Sequence, residues 1–164
     1  LAIQWLMDAG LVHKVCQVSK PEAPLTFYEE ADAFKLFLLD CGLLGAMNMT
    51  DATEAMLTDN IFEEYNGALT EQLVLQELKC VPNLPVYYYT KPNSQQEIDF
   101  LIDIKNCAIP IEAKAGENLQ AKSLKQFILE NKSEKAIKTS LKQYKSNEII
   151  DNVPIYALYC YLQE

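Results

Sequence analysis

QEIDFLIDIKNCAIPIEAKAG, residues 96–116, is the stretch on which the reading of this chain turns. Two runs of apolar–polar alternation flank Lys105-Asn106, the signature of a hairpin. In the first run Ile98, Phe100 and Ile102 point one way, and Glu97, Asp99 and Asp103 the other. In the second, Ile109, Ile111 and Ala113 oppose Glu112 and Lys114. A two-residue turn at Lys105-Asn106 pairs Phe100 with Ile111 and sets Asp99 opposite Glu112. Like charges so placed cost roughly 0.2–1 kcal/mol unless a positive group lies between them, as a divalent cation would. A four-residue turn instead sets Asp99 across from Lys114, an ordinary salt bridge on an amphipathic hairpin. Both registers bury the same apolar face, so the sequence leaves them open.

Upstream, GALTEQLVLQELK (67–79) has helical spacing, with Ala68, Val74, Leu75 and Leu78 on one side. Glu71 falls in the middle of that stripe and Glu77 at its flank. A carboxylate there is costly unless it is paired with a lysine, bordered by solvent, protonated or metal-bound. VYYYTK then reads as a strand, followed by the two strands of the hairpin. NLQAKSLKQFILENKSEKAIKTSLKQYK reads as a lysine-rich helical region, and VPIYALYCYL as a closing strand. The predicted order is α-β-β-β-α-β over 67–164. Residues 51–66 form a helical connector. Before them, 1–9 end a helix at Gly10, LVHKVCQV is a strand, and Lys20–Pro24 form a loop. A second extended stretch and a short helix ending near Asn48 complete a partial winged-helix-like segment, 1–50. Leu1 begins inside a helical pattern, so the chain is expected to be part of a longer protein.

An apolar content of 49% in 164 residues is ample for a core. No apolar run approaches the length of a bilayer crossing. The five cysteines stand singly, without a C-x-x-C pair, as reduced thiols do and zinc ligands do not. His13 is the sole histidine and has no nucleophile signature around it, so it reads as structural. No phosphate-binding G-x-x-x-x-G-K-[ST] occurs, which excludes ATP binding here through a P-loop. Net charge is −9, and all fourteen basic residues are lysines. Residues 51–112 carry eleven acids against three lysines, and 113–164 carry eight lysines against six acids. Nucleic-acid contact, if any, belongs to the C-terminal third. Lys122 and Lys125 open the lysine series that would provide it, a series that also suits a solvated helix face.

Three acids and one lysine directed at one place suit phosphodiester hydrolysis. Asp99 and Glu112 would hold Mg²⁺ or Mn²⁺ with waters, Glu71 would add a ligand, and Lys114 would orient water or neutralise charge on phosphorus. Glu71, Asp99 and Glu112-Ala113-Lys114 resemble the signature of the PD-(D/E)XK nuclease superfamily. The resemblance implies a restriction-endonuclease-like α-β-β-β-α-β core in an α+β or α/β fold. More broadly, DAGLV, PLTFYEEADAFKLFLLDCGLL, GALTEQLVLQEL, EIDFLI and IPIEAKAG look like the C-terminal region of a group of prokaryotic AAA-type ATPases. That likeness implies a preceding ATPase domain, which alone would bring ATP, and a cytoplasmic setting. Two functions stay open: a Mg²⁺-dependent DNA nuclease or DNA-binding module, and a catalytically silent nuclease-like domain for protein interaction or assembly. The expected partners are DNA, the ATPase domain and further copies of the chain, with no membrane.

Overall fold

Lys105 and Asn106 take left-handed backbone angles, φ 54° and 63°. Two consecutive positive φ values twist a tight turn in the same sense as its strands, so the hairpin closes with two loop residues. The turn fixes the register that the sequence left open: Ile104 pairs with Cys107, Ile102 with Ile109 and Phe100 with Ile111.

The structure, a computed structural model, describes residues 1–47, 63–92, 96–114 and 121–163. The expected connector over 51–66 therefore lies largely outside the described residues. In chain order the elements are α1 (Ala2–Asp8), β1 (Val12–Val18), a 3-10 turn (Leu25–Tyr28), β2 (Glu29–Leu38), α2 (Cys41–Met47) and α3 (Glu63–Lys79). They continue with β3 (Val86–Thr90), β4 (Glu97–Ile104), β5 (Cys107–Ala113), α4 (Lys122–Asn131), β6 (Ala136–Ser140), β7 (Lys145–Ser146) and β8 (Ile150–Pro154). A second 3-10 turn (Ile155–Ala157) leads into α5 (Leu158–Leu162). The class is mixed α+β. Among the described residues the eight strands join one sheet, ordered β2-β1-β3-β4-β5-β6-β8-β7. The β1–β2 hairpin, from the segment expected to be winged-helix-like, is thus part of the same sheet. It attaches through a short parallel seam, Cys16 with Tyr87 and Gln17 with Tyr88.

Helices cover both faces. Val74, Leu75 and Leu78 of α3 and Leu158 of α5 pack on Phe37, Phe100, Ile102 and Ile111. On the other face Leu124, Phe127 and Ile128 of α4 pack on Val18, Tyr87, Ile98 and Leu101. Each such side chain contributes about 1.5–3 kcal/mol when fully buried.

Three local expectations are corrected. Ile98 does not share a face with Phe100 and Ile102. The β3–β4 ladder steps from Tyr87–Leu101 to Tyr89–Ile98, so Asp99 and Phe100 together oppose Tyr88 in a β-bulge. The extra residue turns Ile98 to the α4 side. The lysine-rich region is not one helix. Within it α4 stops at Lys132, which is left-handed (φ 51°), and β6 follows because Ala136 and Ile137 have opposite sheet faces to fill. The last segment is not a closing strand over 153–162. Strand β8 ends at Pro154, which cannot donate to a ladder, and the chain turns into α5.

Candidate active site

At the bulge the backbone of β5 loses its partner on β4, and a side chain takes over. Asp99 Oδ2 accepts a hydrogen bond of 2.8 Å from the Ala113 N–H, just beyond the last paired residues, Phe100 and Ile111. One residue away, Glu112 is only 4% exposed. Its Oε1 lies 2.5 Å from Lys114 Nζ, and its Oε2 is buried with no hydrogen-bond partner. Buried carboxylate oxygens are normally satisfied, so an open one marks a position suited to a cationic or donor group. Lys114 is fixed through its own backbone, whose N–H donates to the Thr139 carbonyl at 2.9 Å. Beyond Ile111 the β4 ladder is finished while β6 continues alongside to Ala113, placing the acids at the carboxyl end of the parallel pair β5–β6. In open sheets ligands are usually met at such ends.

Asp99 is strongly perturbed. Burial, then the negative charges of Glu71 and Glu112, push its carboxyl up to about 7, against the lowering effects of the Ala113 N–H and Lys35. Asp99 is therefore in electrostatic reach of both other acids expected at the site. Direct convergence is narrower than expected: among the described residues no group of three or more His, Cys, Asp and Glu is disposed to hold a metal ion. Glu71 is instead occupied. Its Oε2 lies 3.5 Å from Lys35 Nζ, and the same ammonium is bound to Glu97 Oε1.

Lys35 is the site residue that sequence reading missed. It comes from β2, and its ammonium also lies 5.2 Å from the Tyr88 ring centroid. Burial alone would lower its pKa, but the pairs with Glu97 and Glu71 and the field of Asp99 leave it raised. The signal was a lone charge in the apolar run AFKLFL, on a strand that gave no hint of reaching the helix carrying Glu71.

The expected lysine contacts divide. Lys125 on α4 is exposed and lies in the field of Lys138 on β6, as do Lys142 and Lys145. Lys138 itself is lowered, first by burial, against the pull of Glu112 and with the help of those three lysines. Lys122 is exposed at the start of α4. A basic group that reaches Glu112 through Lys138 is therefore built from α4 and the β6–β7 region, which α4 alone does not reveal.

A model of one protein family, described as a domain of unknown function (DUF4143), matches residues 66–158, more than half of the chain. The chain belongs to the DUF4143 family. DUF4143 is a C-terminal domain of AAA-ATPase-type proteins. The matched stretch includes Glu71, Asp99, Glu112, Lys114, Lys122 and Lys125, whereas Lys35 lies before it. Neither a curated protein nor a solved structure matches the chain. No helix among the described residues is long and apolar enough to cross a membrane.

Proposed function

We propose that this DUF4143 domain is a nuclease-like module of an AAA-type ATPase, with a divalent-cation site for phosphodiester hydrolysis on DNA at Asp99, Glu112 and Lys114. The observation that carries this reading is the buried, unpartnered Oε2 of Glu112 within electrostatic reach of an Asp99 whose proton is held by burial and by neighbouring negative charge. The donors are all hard oxygens, which suits Mg²⁺ or Mn²⁺. Two carboxylates without a third protein ligand suit Mg²⁺, which keeps several waters and seldom sits in an all-protein cage. When bound, such an ion polarises a phosphoryl oxygen and lowers the pKa of a water. Asp99, once deprotonated, and Glu112 through Oε2 would hold the ion, with Glu112 Oε1 kept by Lys114. The Lys114 ammonium, anchored by that pair, neutralises charge gathering on the phosphorus. Glu71 acts from α3 through the field it exerts on Asp99. Lys125, Lys138, Lys142 and Lys145 supply the positive surface for the phosphate backbone, with Lys122 at its margin. ATP enters only through a preceding domain.

The test is cleavage of supercoiled, branched and single-stranded DNA with Mg²⁺ or Mn²⁺, alone and joined to an ATPase domain. Activity that needs the metal and disappears in Asp99→Ala and Lys114→Ala supports the reading. No cleavage together with no calorimetric metal binding rejects it.

One observation favours the second reading, a silent domain for protein interaction or assembly, including self-association. Lys35 already supplies positive charge to Glu71, Glu97 and Asp99, which is how an acid cluster is neutralised without a metal.

A further inference from the structure

Lys35 lies outside residues 66–158, yet its ammonium sits among acids from inside that stretch. We propose that Lys35 is a resident counter-ion of the carboxylate site, holding Glu71 and Glu97 beside Asp99 and competing with a divalent cation for that position. The proposal rests on the metal-binding reading above.

Lysines on edge strands ordinarily run outward to water, where they also discourage unwanted strand pairing. Lys35 runs inward instead. Its side chain is 27% exposed, and its ammonium has anchors on two elements besides its own: Glu71 on α3 and Glu97 on β4, with the Tyr88 face 5.2 Å away on β3. With no metal bound, this one charge relieves the repulsion between acids that the helix and the bulge bring together. A divalent cation at Asp99 adds two positive charges within the field of that ammonium. The lysine must then retreat or be outcompeted. Glu112 makes exchange feasible, because its Oε2 is buried without a partner and Lys35 does not engage it. An incoming cation thus has one donor free before Lys35 yields the rest.

Mn²⁺ binding is measured by calorimetry on the full chain as wild type, Lys35→Met and Lys35→Arg. Lys35→Met is expected to bind Mn²⁺ roughly three- to fivefold more tightly, the scale of a partly exposed ion pair, and Lys35→Arg to keep wild-type affinity. Equal or weaker binding by Lys35→Met overturns the proposal and leaves the metal site standing. Binding by none of the three removes the metal site itself, and the competition with it. A readout on the wild type does not depend on how a variant folds. The ¹H–¹⁵N signal of the Lys35 ammonium is expected in the metal-free protein and to shift or vanish at saturating Mg²⁺. A signal unchanged at saturation overturns the proposal.

Discussion

Asp99 shows at the scale of one residue how the proposed metal site and the stability of the domain would pull against each other. Its folded pKa, about 7, lies above the ordinary aspartate value of 3.8. The folded state therefore favours the protonated form. The resulting stabilisation is complete below the unfolded pKa and is lost as pH rises toward and through 7. Asp99→Asn keeps an oxygen for the Ala113 N–H and removes the charge, so it is expected to raise Tm at pH 8 and to change it little at pH 4. A domain of this size shifts by about 2–4 °C per kcal/mol, and thermal melts across pH would show an effect of that order. Metal binding should have the opposite dependence. Mg²⁺ must displace the Asp99 proton, so its affinity should increase from pH 6 to pH 8, with protons released to buffer in calorimetry. Lys114→Met tests the neighbouring pair. It leaves Glu112 buried without its partner and should cost about 1–3 kcal/mol in denaturant unfolding. These acids and Lys114 were legible in the sequence because their alternation and spacing are local. Lys35 was not, because nothing near it in the chain announces a partner thirty-six positions away on α3.

Among elements, the β4–β5 hairpin was the most legible, and the undecided point was its turn. Backbone angles at Lys105 and Asn106 settle it, and they give a test. Lys105→Val puts a β-branched residue at φ 54° and should destabilise by about 1–2 kcal/mol. Pairing Lys105→Asn with Asn106→Gly supplies the residues this turn prefers and should stabilise by roughly 0.5–1 kcal/mol. Equilibrium unfolding of the two proteins would show shifts of opposite sign. The bulge at Asp99 was not legible. It depends on how β3 and β4 accommodate Tyr88, while alternation in β4 by itself suggests an uninterrupted face. The lysine-rich stretch misled for a related reason. Its spaced lysines continue a helical pattern past Lys132, but the buried pairing of Ala136 and Ile137 against β5 and β8 outweighs that local preference.

For the whole molecule, the family match covers less than the sheet does. Strands β1 and β2 lie before residue 66, but β1 pairs with β3 and β2 with β1, and they carry Val15, Val18 and Phe37 of the core. A fragment of residues 66–158 would leave β3 as an uncovered edge and is expected to aggregate, where the full chain elutes as a discrete species in size-exclusion chromatography. DNA binding by the full chain should be weak and fall steeply with salt, since its lysine group acts against a net charge of −9. The seam between β1 and β3 has a further bearing. With two residue pairs it is much shorter than the β1–β2 ladder, which runs from Val12–Leu38 to Val18–Glu29. The hairpin thus joins the rest of the sheet through a ladder as short as that of β7–β8, and Lys35 lies on its outer strand. Amides of β1 and β2 should exchange with solvent together, ahead of those in β4 and β5. Parting the seam would draw the ammonium away from Glu71 and Glu97 and leave those two carboxylates without the cation that now joins them.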